Sequence, residues 1–302
     1  MRRSKFKSAA TRLVRAVVLF ECALVALLPF VFASPVALAQ GSVSSSQLTP
    51  LQFEIERERR RLSSTETEER RDAVMRLGAM KRVDSARVAA NGLHDASPIV
   101  RATAARAILS LPSDEAAQLL LPLLQDREEF VRQEAAYALG LTRSRAAVAA
   151  LINILEQDKK DSVRGAAAVA LGQIGDESAV IPLTNFLGRR VPASGILNRV
   201  RRKKMDENEF VRRAAAHSLG QIHSRAAVPA LVDVLKDEHA PDDVRREAAT
   251  SLGMIGGQEA IAALREMLTA RDPYLSKIAY ESLLKISPKD AMRSVSEDQK
   301  IQ

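Results

Sequence analysis

Apolar residues recur along this chain at helical spacing, in blocks that themselves recur. Over residues 131–140, Val131, Ala135, Ala138 and Leu139 share one side of an α-helix, with polar residues between them. A few residues on, Val148, Leu151, Ile152 and Leu155 form the stripe of a second helix running from about Ala147 to Leu155. The first helix opens on a Val-Arg pair, and that pair returns at Val100, Val131, Val163, Val211 and Val244, at spacings of 31, 32, 48 and 33. An earlier unit starts at Glu69-Arg70, and a trailing half-unit starts near Leu275. Eight residues after each start stand Leu77, Ile108, Leu139, Leu171, Leu219 and Leu252. Nine after stand Gly78, Gly140, Gly172, Gly220 and Gly253, with Leu109 the exception. Twenty after stand Ala89, Leu120, Leu151, Leu183, Leu231 and Leu264, and twenty-four after stand Leu93, Leu124, Leu155, Leu187, Leu235 and Leu268. The pattern predicts an all-α superhelix of about six two-helix units plus a half-unit. No single unit can bury its apolar face, so stacking must supply the core.

Details within the units sharpen this. A glycine inside a helix costs roughly 1 kcal/mol of propensity relative to alanine, so one repeated at the same place implies a close backbone contact there. Gly175 and Gly256, three residues further on, suit a left-handed helix end; Arg143 and His223 replace them elsewhere, so that end is expected to vary. Ser97-Pro98 and Asp272-Pro273 each set an N-cap residue before a proline. Asp161-Ser162 and Asp242-Asp243 put carboxylates where the helix dipole favours them.

The run Val-Arg-x-x-Ala-Ala-x-x-Leu-Gly, as at 131–140 and 211–220, resembles the short HEAT-like repeats of the phycobilin-lyase type, over residues 69–286. The Thr-Pro-Leu-His start of ankyrin repeats and the fixed aromatics of tetratricopeptide repeats are absent. Two enzyme classes share such repeats. Phycobilin lyases work beside cytoplasmic pigment complexes. A di-iron hydroxylase draws its metal from His-Glu pairs opening the first helices; the matching positions here are Gln133-Glu134 and Arg246-Glu247, and no His-Glu pair occurs in the chain. The resemblance therefore implies a fold and no particular reaction. It also implies that second helices line a concave face, and that the Arg beginning each first helix pairs with loop carboxylates between units. Here those are Arg70, Arg101, Arg132, Arg164, Arg212 and Arg245, with Asp95, Asp126, Asp158, Asp237 and Asp272.

Charge is unevenly placed. Of the net +8, a surplus of five lies in residues 1–39, and Arg189 to Lys204 hold seven positive and no negative side chains, leaving the rest of the chain at −4. A general appeal to nucleic acid therefore fails. Residues 1–39 read as a secretory signal: a basic stretch to Arg15, an apolar stretch from Ala16 to Ala33, then Ala37-Leu38-Ala39 as a cleavage site before Gln40. The expected location is periplasmic or secreted. The alternative is an uncleaved N-terminal anchor, which leaves the repeats outside the cytoplasm too. Cys22, the only cysteine, lies in the apolar stretch, so the expected mature chain has no disulfide and no thiol chemistry. Residues 40–68 read as a linker followed by a helix from Leu51 to Leu62 that caps the first unit, and 287–302 as a frayed polar tail.

Candidate functional residues are few. His94, His217, His223 and His239 have no ligand spacing, and no metal or cofactor is expected. Twenty-two residues after each start stand Asn91, Asn153, Asn185, Asp233 and Glu266, with Pro122 the exception, a polar row suited to protein contact. The 48-residue spacing hides an insertion near 188–210 whose Pro192 and Gly195 argue for a loop. It carries Arg189, Arg190, Arg199, Arg201, Arg202, Lys203 and Lys204, a candidate contact for an anionic lipid, an acidic polymer or an acidic protein. No aromatic is interleaved before Phe210, so nucleic acid is not expected there. The function these readings predict is an exported protein-binding scaffold. The alternatives are an enzyme of unrecognised type and a membrane-surface protein.

Overall fold

In the computed structural model the described residues are 49–188, 190–192 and 204–292. The signal segment, its cleavage site, Cys22 and the end of the tail lie outside them. Helix α1 spans Pro50–Arg61, and six two-helix units follow. Their first helices are α2 (Thr67–Ala79), α4 (Pro98–Ala107), α6 (Glu129–Thr142), α8 (Asp161–Ile174), α10 (Glu209–Ile222) and α12 (Asp242–Ile255). Their second helices are α3 (Val83–Ala89), α5 (Ser113–Leu120), α7 (Val148–Gln157), α9 (Val180–Leu187), α11 (Val228–Lys236) and α13 (Gln258–Glu266), several extended by 3-10 turns. The half-unit is α14 (Pro273–Ile286). The fold is the all-α repeat stack that the periodicity predicts.

The apolar residues eight and twenty after each start, leucine apart from Ile108 and Ala89, form the core. Leu139, Leu171, Leu219, Leu151, Leu183 and Leu231 are all fully buried. Burying one such side chain contributes about 1.5–3 kcal/mol, which a helix alone in water cannot obtain. Neighbouring first helices touch backbone to backbone at the repeated glycine. A Cβ on Gly140 would stand 2.7 Å from Ala170 Cα, and one on Gly172 2.7 Å from Ser218 Cα. The glycines are thus the places where one unit admits the next. In the second unit Leu109 replaces glycine, and α4 stops two residues earlier, at Ala107.

Several local expectations change. The end of the first helix varies as expected, but less than the residue types suggest: Arg143 and His223 adopt the same left-handed conformation as Gly175, while Gly256 keeps the positive φ with an extended ψ of −165°. Twelve residues after the start, Lys81, Arg143, Gly175, His223 and Gly256 all have positive φ, from 51° to 74°. The turn into the second helix requires that reversal, and only the second unit, with Pro112 there, avoids it. Ser97 stands at an N-cap without a hydroxyl cap bond; the Asp95 carboxylate accepts the Ser97 N–H instead, at 2.8 Å. Asp272 caps as expected, accepting from the N–H groups of Tyr274 and Leu275. Helix α1 opens with a Thr49–Gln52 capping box and packs on the first unit through buried Ile55. Its Glu58 is fully buried, and Arg61 donates to it at 3.0 Å. After Ile286 the chain is helical again over 288–292, and Ala291 is fully buried, so the start of the presumed frayed tail packs on the array.

The insertion is not a plain loop. Strands β1 (Arg190–Pro192) and β2 (Lys204–Asp206) pair antiparallel, Arg190 opposite Asp206 and Pro192 opposite Lys204. Pro192, which has no N–H to give, takes the last rung of this three-residue ladder. Residues 193–203 lie outside the described ones. Among the described residues no helix is long and apolar enough to cross a membrane.

Candidate interaction surfaces

The repeated arginines are taken up by the fold. Arg101 donates through Nε and Nη2 to both oxygens of Asp126, at 2.7 and 2.9 Å, and through Nη1 to the carbonyls of Asp95 and Ala96. Arg70 holds Asp95 and Arg132 holds Asp158 in the same two-pronged way. Asp126 in turn accepts the N–H of Glu128, two residues on, at the start of the next first helix. Each arginine therefore ties the loop before its unit to the loop after it. The Arg70 guanidinium holds the Asp95 carboxyl below the usual carboxylate range. Burial pushes the Asp126 and Asp158 carboxyls up, but Arg101 and Arg132, together with the backbone N–H groups of Glu128 and Lys160 and further arginines nearby, leave both low.

The series departs from its expected register where the spacing changes. Arg164 reaches across the insertion to Glu207, at 2.6 Å, and also holds Asp161. Glu207 is almost fully buried, and its carboxylate accepts the N–H of Asn208, as the loop aspartates do for their own successors. In the sixth unit Arg245 donates to the Leu235 carbonyl, and it is Arg246, not Arg245, that holds Asp272, at 2.7 Å. Asp272 lies three residues before the start of its half-unit, where Asp95, Asp126 and Asp158 lie five before theirs. That shift hands the aspartate to the next arginine.

The polar row lies on the second helices with every member exposed: Asn91, Asn153, Asn185, Asp233 and Glu266. It is not entirely free. Asn91 Nδ2 donates to the Val88 carbonyl at 3.0 Å, and Glu266 pairs with Lys236 at 2.7 Å. Of the basic candidates, Arg189, Arg199, Arg201, Arg202 and Lys203 lie outside the described residues, and Arg190 and Lys204 are placed by backbone alone, in β1 and β2.

Two features escaped the sequence reading. The first is a groove of about 640 Å³ on the exposed side of α2, α4 and α6. Its floor is Gly78, Ala102 and Ala107, and Met75, Ile99 and Phe130 stand around it, each between 39% and 53% exposed. Ile99 and Phe130 share one register position, immediately before the unit's start, which a search for buried repeats passes over. The second is an ion pair between His217 of α10 and Glu247 of α12, at 2.8 Å, which raises the His217 pKa above the ordinary histidine value. His223 is an exposed helix end, and His94 and His239 are exposed at the ends of second helices. Among the described residues no cluster of His, Cys, Asp and Glu could hold a metal ion.

A stack of two-helix units with a leucine core, joined through small residues, defines an α-solenoid of the armadillo and HEAT class. The family model of HEAT repeats matches residues 59–140, 124–194 and 194–284, and the chain belongs to that family. No curated protein matches it. Among solved structures it is similar to Escherichia coli YibA, at 21% identity over 78% of this chain and 81% of that one, with a TM-score of 0.53. It is also similar to the complex of CpcE and CpcF of phycocyanin lyase from Nostoc (24% identity, 91% and 100% of the two chains, TM-score 0.46). A third is human deoxyhypusine hydroxylase in complex with glycerol (19%, 78% and 85%, TM-score 0.39). At these identities the likeness concerns the fold.

Proposed function

We propose that this chain is an exported scaffold that holds a protein partner through the polar row of its second helices, with the basic insertion as a further contact for an anionic surface. One observation carries the reading. The charged groups that repeat with the units are mostly consumed in holding the units together, whereas the row on the second helices repeats, faces solvent and does little for the stack. A surface that repeats without serving the core is where a solenoid meets other molecules. The N-terminal pattern of basic, apolar and small residues supports export. Crosslinking mass spectrometry in intact cells tests the scaffold role. The wild type is expected to give a reproducible envelope partner, and a variant with Asn153→Arg, Asn185→Arg and Asp233→Arg is expected to lose it while keeping its helical circular dichroism. Retention of the same partner by that variant would sink the row as the contact. A mature N-terminus at Gln40 is the expected mark of export.

A further inference from the structure

The groove over α2, α4 and α6 serves neither the stack nor the proposed partner contact on the second helices. Its shape has two parts side by side. Met75, Ile99 and Phe130 project, and next to them the surface drops to Gly78, Ala102 and Ala107. Phe130 has a counterpart in Phe210, at the same register position two units on, and the two are treated differently. The Phe210 ring lies across Gly165 where a Cβ would be. Ala102, in the register of Gly165, carries a Cβ in that space and lines the groove together with Phe130; both rings remain part-exposed, Phe130 at 39% and Phe210 at 37%. The charged residues lining the groove are Arg106 and Glu134, one of each sign, 2.5 Å apart.

The geometry points to a second copy of this chain as the occupant, docked about a two-fold axis through the groove. A two-fold contact uses one patch on both partners, so the patch must carry both the projection and the hollow that receives it. This patch does: Phe130 and Ile99 of each copy enter the hollow of the other. It must also match its own charge, and a neutral Arg–Glu pair does so when Arg106 of each copy faces Glu134 of the other. A partner with net charge finds no complement among these lining residues. Apolar area of this kind on the surface of a soluble protein marks an interaction site, and a symmetric pair is the commonest arrangement that closes it.

Residues 48–302 form one compact unit and suit the test. Light scattering at roughly 50 µM, where an interface of ordinary size holds, is expected to give the mass of two chains. Phe130→Glu and, separately, Ile99→Lys are each expected to halve that mass with the helical signal unchanged; both positions are exposed, so folding survives. Arg106→Glu and Glu134→Arg are each expected to be monomeric alone, where like charges meet, and to form a mixed dimer when combined, where a doubly acidic patch meets a doubly basic one. A monomeric wild type overturns the proposal, as does a dimer indifferent to Phe130→Glu and Ile99→Lys, or a wild-type monomer carrying a copurified peptide. A combined sample that stays monomeric overturns the charge match across the groove and the two-fold contact with it.

Discussion

The first three units and the last three are built on one plan, and they differ most where their first helices face outward. In units one to three that side carries Met75, Ile99 and Phe130 around a hollow. In units five and six Phe210 is nearly as exposed as Phe130, but three pairs stand where the groove has one, Arg106 with Glu134: Arg213 with Asp243, His217 with Glu247, and Arg246 with Asp272 under the Tyr274 ring, whose centroid is 5.1 Å away. The joints between helices also differ. The glycine meets alanine in the first half, Gly78 on Ala107 and Gly140 on Ala170, and serine in the second, Gly172 on Ser218, Gly220 on Ser251 and Gly253 on Ser282. Two of these serine hydroxyls donate to carbonyls of the preceding unit, Ser218 to Ala168 and Ser251 to Ala216, both at 2.8 Å. The helix-to-helix approach is the same in both halves, so backbone distance constrains the joint strictly while the outward side is left to serve other ends.

The strongest way to probe this contrast is through the arginines. Arg132→Ala leaves Asp158 as a buried carboxylate without its partner, and the expected loss of unfolding free energy is about 3–5 kcal/mol by denaturant titration. Arg246→Ala, in the more exposed last joint, is expected to cost clearly less. Equal losses would erase the distinction between interior and terminal pairs. The sign with pH follows from the low native pKa values of Asp95, Asp126 and Asp158. Their stabilisation is complete above the unfolded aspartate value of about 3.9 and is lost as pH falls through the native values. The wild type should therefore lose stability on acidification below about pH 4, and Arg132→Ala should lose less of it there.

A smaller effect compares the joints themselves. Gly140→Ala and Gly172→Ala are each expected to cost about 1–3 kcal/mol, because either new methyl group meets a backbone atom that cannot retreat. Gly188→Ala, with nothing within 4 Å, should leave thermal stability unchanged. A large loss in one half only would show that the serine joints yield where the alanine joints do not.

What could be read in advance follows from what repeats. The leucine positions, the glycine joints and the Arg–Asp pairing of Arg70, Arg101 and Arg132 recur at fixed intervals, so the linear pattern exposes them. The left-handed ends at Arg143 and His223 were hidden, because those residue types do not advertise positive φ as glycine does. Glu207 was hidden because the insertion moves it 43 residues from Arg164 and because it is glutamate where the others are aspartate. Counting back from Val211 finds it four residues before the start, close to the aspartate register. The ribbon, with only three paired residues per strand, leaves no period to detect. The groove was hidden because Ile99 and Phe130 recur at an exposed position, outside the buried register that marks the repeats.

The gentlest test concerns His217. With its pKa raised by Glu247, its contribution is fully present below about pH 6.5 and fades as pH rises through the native value. The pair is part-exposed, so screening holds the effect to a few tenths of a kcal/mol. An NMR titration should show the His217 pKa fall in Glu247→Gln; an unmoved pKa would detach the pair from the outward charge pattern.

The contact between Arg164 and Glu207 makes residues 190–206 a cassette. Both ends of the inserted stretch return to the same joint, and the salt link that seals the joint lies wholly outside it. Excision should leave the neighbouring repeats seated. Foreign sequence grafted in its place would be displayed from the joint between α9 and α10 without disturbing the repeats on either side.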